Sequence, residues 1–329
     1  MAKYLIIRFS SIGDIVLTSP IIRCLKKQNE FNQIHFITKE NFKSTLSENP
    51  YLDKIYTIKS SVNEVIDQLK EEEYDYIIDL HKNVRSAALK LKLKRPSYSY
   101  HKLNFKKWLA VKFKMKFLPA IHIVDRYFDA LEKLSIKNDH LGLDFFIHPE
   151  NEINLKNFLP SDFHHGFYAL IIGGAHETKK FPELKIIDLL NKINFPVVLL
   201  GDKNDKIIGD KICKSSIGKI FNACGMLSLQ QSASIIKQCN KVITNDTGLM
   251  HIAAAFNKPI VSLWGNTIPE FGMFPYMPKL SNKSQLIQIK NLSCRPCSKI
   301  GYSSCPKGHF NCMNLIDTKD IIEALDKIN

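Results

Sequence analysis

Apolar residues along the chain come in short unbroken runs, each followed by a polar turn and then by a longer stretch in which apolar positions recur every three or four residues. The first run, residues 3–9 (Lys-Tyr-Leu-Ile-Ile-Arg-Phe), has the pattern of a strand buried on both faces of a parallel sheet. The turn Ser10-Ser11-Ile12-Gly13-Asp14 follows, then a helical segment to about Gln28 that Pro20 bends or breaks near its first turns. Similar runs at 33–38, 54–58 and 74–80 alternate with helical segments. A polar, proline-containing stretch at 148–165 interrupts the pattern, which restarts at 167–172 and continues with runs at 196–200, 219–223, 241–244 and 259–264. Alternation at this spacing predicts an α/β protein built from βαβ units around parallel sheets. The interruption predicts two domains, 1–160 and 161–329, each a Rossmann-like doubly wound sheet, facing each other across a cleft. The closing amphipathic segment, 317–328, reads as a last helix, which is allowed to pack back on the N-terminal domain.

Composition narrows the function classes. With 45% hydrophobic and 24% charged residues, the 329-residue chain has the make-up of an ordinary globular protein. No apolar run reaches the ~20 residues of a spanning helix, and no cleavable leader pattern is visible, so a cytoplasmic protein is expected. Eight cysteines are too sparse for a disulfide scaffold. The net charge of +14 favours a polyanionic partner, and it divides evenly between the two halves. Residues 86–124 differ, with ten Lys or Arg and no acid: Lys90, Lys92, Lys94, Arg95, Lys102, Lys106, Lys107, Lys112, Lys114 and Lys116.

Four clusters carry candidate chemistry. Asp14 stands at the carboxyl end of the first strand, where a carboxylate serves either as a general base or as a helix cap, and Gly13 beside it permits close backbone approach. Gly173-Gly174 opens a second strand-to-helix loop carrying Lys179 and Lys180, which suit an anion or are solvated surface lysines. In Asn245-Asp246-Thr247-Gly248-Leu-Met-His251 a strand turns into a helix, so the Thr247 hydroxyl and the first amides are placed to hold a diphosphate, with His251 one turn along the same face. Trp264-Gly265-Asn266-Thr267 extends the same pocket. Cys294, Cys297, Cys305, His309 and Cys312 form a group compatible with a structural metal, a disulfide or plain buried thiols, and no catalytic metal is expected. No G-x-G-x-x-G occurs at the strand ends, which argues against a nicotinamide-dependent oxidoreductase. A basic nucleic-acid-binding protein using residues 86–124 is the reading from another class, and it leaves the Asp14 and Asp246 loops unexplained.

The segments Ile7-Arg-Phe-Ser-Ser-Ile-Gly-Asp14, Thr178-Lys-Lys-Phe-Pro182 and Asn245-Asp-Thr-Gly-Leu-Met-His251 resemble those of the bacterial heptosyltransferases, glycosyltransferase family 9, over nearly the whole chain. The resemblance implies a GT-B fold with acceptor recognition in the first domain and nucleotide-sugar binding in the second. It implies inverting transfer of heptose from ADP-L-glycero-D-manno-heptose to the lipopolysaccharide inner core at the cytoplasmic face of the inner membrane, without a cofactor and without nucleic acid as partner; a family 9 transferase using another nucleotide sugar is the alternative within the family. Carried over by position, Asp14 matches the general base, Lys179 the lysine on the donor phosphate, and Asp246, Thr247, Gly248 and His251 the donor motif, with Gly13 close by. Asp205, or less closely Asp202, matches an acidic residue at the adenosine ribose. The basic segment, with Lys102, Lys106, Lys107 and Lys112, then suits a phosphorylated lipid-linked acceptor and an anionic inner-membrane surface.

Overall fold

The computed structural model describes residues 1–115 and 117–328; Lys116 of the basic segment lies outside them. The chain divides into two compact units, Met1–Leu103 with Ile121–Phe146, and Asn104–Ala120 with Ile147–Asn329.

The first unit holds a parallel sheet of β1 (Lys3–Ile7), β2 (Gln33–Lys39), β3 (Lys54–Ile58), β4 (Tyr76–Asp79) and β5 (Ser97–Ser99), in the order β3-β2-β1-β4-β5. Leu5, Ile6 and Ile7 are fully buried, as expected for a central strand covered on both faces. Ile6 lies in register with Phe36 on one side and Ile78 on the other. The chain runs outward from β1 through β2 to β3 and returns to the other side of β1 with β4. The strand order therefore reverses between β1 and β4, and ligands of open α/β sheets bind beyond the carboxyl ends of the strands at such a point. The helical segment after β1 is split into Ile12–Val16 and Ser19–Gln28, with Pro20 in the first turn of the second helix, where its missing N–H costs nothing.

The second unit holds β6 (Tyr168–Ile171), β7 (Val197–Leu200), β8 (Ile220–Asn222), β9 (Lys241–Asn245), β10 (Ile260–Trp264) and β11 (Ser284–Gln288). All are parallel, in the order β11-β10-β9-β6-β7-β8, so the reversal falls between β6 and β9. Leu170, Leu199, Ile243 and Leu263 build its core together with Ile321 and Leu325 of the last helix, Thr318–Lys327. That helix is thus packed into the second unit's own core.

Two other boundaries differ from the sequence expectation. The division falls at Ile147 instead of 160. The polar stretch before residue 165 lies along the helix Leu229–Gln238, where Ser234 Oγ accepts from the Ile153 amide at 2.9 Å and Lys237 pairs with Glu152 at 2.6 Å. The basic segment is also divided. Lys102 belongs to the first unit, while the helix Asn104–Phe113, with Lys106, Lys107 and Lys112, belongs to the second. There Lys114 Nζ donates to the Pro296 carbonyl at 2.7 Å, and Lys107 lies 5.3 Å from the Phe271 ring centre. The short strands β5 and β11 have no counterpart in the apolar pattern, because each is a half-exposed edge made largely of Ser and Gln. Among the described residues no helix is long and apolar enough to cross a membrane.

Candidate functional site

In the first unit the turns after β1 and β4 meet at the reversal point. Asp14 is the third residue of the helix Ile12–Val16, and its carboxylate reaches back to accept from the Ser11 amide at 3.2 Å and the Ser11 hydroxyl at 2.7 Å. It acts as a cap, yet its side chain stays 23% exposed and pairs with the guanidinium of Arg8. Arg8 is buried and donates as well to the carbonyls of Ser10 and Leu80 and to the Tyr127 hydroxyl. Burial opposes its charge, but Asp14 outweighs that and raises its pKa. Ser11 thus holds one carboxylate oxygen and Arg8 the other, while the side chain remains partly exposed.

The loop after β4 adds His81, which the sequence reading did not single out, and receives Lys102, which that reading placed in the basic segment. His81 packs edge-on to Phe9 at 5.1 Å between ring centres. Burial, then the charges of Arg8 and Lys102, push its pKa down to about 4, so the ring is neutral at neutral pH. Lys102 donates to the carbonyls of His81 and Lys82 at 2.9 and 3.1 Å, which brings this member of the basic segment to the Asp14 side. The buried carboxylate of Asp79 shapes the loop, accepting from the His81 and Lys82 amides and the Ser86 hydroxyl. An X-Asp-x-His step ending a strand was the only available signal.

The depressed His81 pKa makes a stability prediction. Because the unfolded chain takes up this proton near pH 6.5 and the folded one only near 4, stability is complete above about 6.5 and falls as pH drops through that window. The melting temperature should decline between pH 7 and 5, and less steeply in His81→Gln. An equal slope in the variant would remove His81 as the source.

In the second unit the turns after β6 and β9 meet in the same way. Lys179 Nζ lies 2.7 Å from Asp246 Oδ2 and 3.4 Å from the Asp246 carbonyl. The same carboxylate oxygen accepts from Thr267 Oγ1 at 2.9 Å. Asn245, 1% exposed, ties the two loops: its Nδ2 donates to the Ile171 and Gly173 carbonyls at 3.2 and 3.3 Å, and its Oδ1 accepts from the Phe181 amide at 3.1 Å. Thr247 is the extended residue before the helix Gly248–Ala255, and its hydroxyl does not cap that helix. The first amides of the helix follow directly on Asp246, whose carboxylate holds the Lys179 ammonium.

The structure thus groups Lys179, Asp246, Thr247 and Gly248. Gly13, expected with them, stands in the first unit beside Asp14. His251 is 2% exposed and packed inside the second unit. Asp205 is likewise buried at 3%, with Oδ1 at 3.1 Å from Lys180 Nζ and Oδ2 accepting from the Asp202 amide at 3.0 Å. A Cβ on Gly173 would lie 2.5 Å from that oxygen, and one on Gly201 would lie 2.7 Å from Asp205 Cβ, so both glycines exist to admit this side chain. In this arrangement Asp205 holds the loop, and Asp202 is the exposed carboxylate of the pair. Among the described residues no three or more His, Cys, Asp or Glu side chains are placed to hold a metal ion. Cys294 Sγ is 3.8 Å from His309 Nε2, and burial with neighbouring thiols pushes Cys297 and Cys312 up to about 11, so both are protonated thiols.

Two Rossmann-like parallel sheets, one ending in a carboxylate and the other in a lysine beside a helix N-terminus, define a glycosyltransferase of the GT-B fold class. Comparison with solved structures agrees. The chain superposes on a family 9 glycosyl transferase from Veillonella parvula with a TM-score of 0.78 at 21% identity, covering 99% of this chain and 96% of that one. It superposes on the ADP-heptose lps heptosyltransferase II of E. coli with a TM-score of 0.74 at 20% identity, covering 98% and 97%. A lipopolysaccharide heptosyltransferase 1 from Campylobacter coli is 24% identical over 301 residues, 80% of this chain and 84% of the relative. Residues 62–305 match the model of glycosyltransferase family 9 (heptosyltransferase), and the chain belongs to that family.

Proposed function

We propose that this enzyme transfers heptose from ADP-L-glycero-D-manno-heptose to the inner core of lipopolysaccharide, with inversion at the anomeric carbon and without a metal. The observation that carries this reading is the Lys179–Asp246 constellation at the start of the helix Gly248–Ala255, a site for a diphosphate. The names of its heptosyltransferase relatives supply the sugar, the nucleotide and the acceptor class. In the step itself an acceptor hydroxyl oxygen attacks the anomeric carbon and the bond from that carbon to the diphosphate oxygen breaks. The hydroxyl proton passes to the Asp14 carboxylate, and ADP leaves with its new negative charge on Lys179 and the helix amides. A single displacement from the face opposite the leaving group inverts the centre. A thermal-shift series with ADP, UDP and GDP, followed by turnover of ADP-heptose, tests the reading; stabilisation by UDP or GDP and not by ADP would sink it.

The acceptor is lipid-linked, and we place its membrane surface on the helix Asn104–Phe113. Phe105, Trp108 and Phe113 are exposed there, Phe105 stacking on Trp108 at 6.0 Å and Lys112 lying 5.1 Å from the Trp108 ring centre. Exposed aromatics flanked by lysines suit an anionic bilayer interface, where each lysine contributes about 1 kcal/mol. Lys102, at the Asp14 side, is the member of the segment placed to meet the acceptor itself. Reversing Lys106, Lys107 and Lys112 to Glu should lower sedimentation with anionic vesicles at least tenfold; undiminished sedimentation would remove the surface from this face.

A further inference from the structure

The cysteine-rich segment has a place in the second unit that its thiols do not explain. Arg295 is buried, and its guanidinium bonds to carbonyls: Nε to Gly265 at 2.5 Å, Nη2 to Thr267 at 2.8 Å and Nη1 to Ile289 at 2.9 Å. The Cys297 amide donates to the Asn266 carbonyl at 3.1 Å. Three successive carbonyls of the loop after β10 are therefore taken up by two residues of one neighbouring segment. The loop's own side chains do not supply that hold, since neither amide atom of the buried Asn266 has a hydrogen-bond partner. What the loop presents is Thr267, 2% exposed, whose hydroxyl fixes the Asp246 oxygen that also binds Lys179. The same segment reaches the lysine from the other side. The Tyr302 amide donates to Thr178 Oγ1 at 2.8 Å, and the Thr178 amide donates to the Tyr302 carbonyl at 3.2 Å, one residue before Lys179. Gly301, at φ +130°, lets the chain pass over His176, where a Cβ would come within 2.5 Å.

We propose that residues 294–302 form a strap across the two diphosphate loops, and that Arg295 is a positioning residue that sets Lys179 through Thr267 and Asp246. The inference rests on the reading above that Lys179 meets the donor diphosphate. A planar fork is required, because Gly265 and Thr267 are gripped at once by Nε and Nη2 of one guanidinium, and an ammonium cannot span both. When Arg295 lets go, the loop relaxes, the Thr267 hydroxyl leaves Asp246, and Lys179 loses the carboxylate that aims it.

The test compares Arg295→Lys, Thr267→Val, their double variant and Lys179→Met in the full chain, using ADP as the probe by titration calorimetry beside donor and acceptor KM and the melting temperature. Arg295→Lys and Thr267→Val should each raise the ADP Kd about tenfold, the scale of one lost charge-assisted hydrogen bond, and raise donor KM in parallel while acceptor KM stays within about twofold. The double variant should bind no more weakly than the weaker single, since both residues act along one chain of contacts. A merely structural Arg295 would lower the melting temperature and leave the folded protein with wild-type ADP affinity, which overturns the proposal. If Arg295→Lys does not fold, Thr267→Val decides, because it keeps the side-chain shape and removes only the hydroxyl; wild-type ADP affinity there overturns it equally. If Lys179→Met itself binds ADP normally, the donor reading fails and the strap's role with it. If Lys179→Met weakens ADP binding and the other variants do not, the strap inference alone fails.

Discussion

Asp14→Asn should lower kcat by at least 10²-fold, and by as much as about 10⁴-fold, while the Kd for ADP stays within about twofold of wild type. The amide has the shape of the carboxylate, so Ser11 can still donate to its oxygen, and the helix Ile12–Val16 keeps its start. Arg8 loses its anionic partner but keeps the carbonyls of Ser10 and Leu80 and the Tyr127 hydroxyl, so the loop does not collapse. What disappears is a group able to accept the acceptor's proton. ADP affinity is spared because Lys179, Asp246 and the helix Gly248–Ala255 belong to the other unit. Steady-state turnover of ADP-heptose with ADP titration on the same preparation checks both halves. Activity above a tenth of wild type would reduce Asp14 to a helix cap, and a large loss of ADP affinity would place it on the donor side.

Arg23→Met should destabilise the first unit by about 3 kcal/mol, which is close to 10 °C in melting temperature for a unit of this size. Arg23 is buried on the helix Ser19–Gln28 and grips Asp139 with two hydrogen bonds of 2.8 Å, while also binding Asp144 and the Gly142 carbonyl at 2.9 Å. Burial already raises the Asp144 pKa against the pull of this arginine. Without the cation, two neighbouring carboxylates share a half-dry site and the segment 139–144 loses its anchor to the helix. Arg23→Lys should recover part of the loss, because one ammonium cannot serve both acids. Urea unfolding of the three proteins settles the size, and a change under 1 kcal/mol for Arg23→Met would mean that water replaces the arginine at little cost.

The candidate site was legible wherever a run of apolar residues ended in a polar loop. Asp14, Lys179 and the Asp246–Gly248 turn all stand at strand ends that the periodicity places, because a central strand needs two buried faces and so writes itself as an apolar run. Arg8, His81 and Arg295 were not legible as site residues. Each acts through a partner far along the chain: Arg8 reaches Leu80 and Tyr127, and Arg295 reaches Gly265. The setting of Asp205 was hidden for the same reason, since only packing shows that Gly173 and Gly201 leave room for it and that Lys180 pairs with it. The basic segment read as one patch, yet Lys102 turns to the His81 loop while Lys107 lies over Phe271.

By itself, the sequence determined the α/β class, the two sheets, the parallel strands and the loops that carry the chemistry, because these follow from local periodicity and from the turn residues at strand ends. Only the tertiary structure decided which loops meet. Strand order is set by side-to-side pairing between segments distant in the chain, which leaves no local trace. That order, β3-β2-β1-β4-β5 and β11-β10-β9-β6-β7-β8, is what brings Asp14 beside His81 and Lys179 beside Asp246. The unit boundary at Ile147 and the passage of 104–120 into the second unit were decided the same way, by contacts whose strength depends on burial and geometry and not on position in the chain.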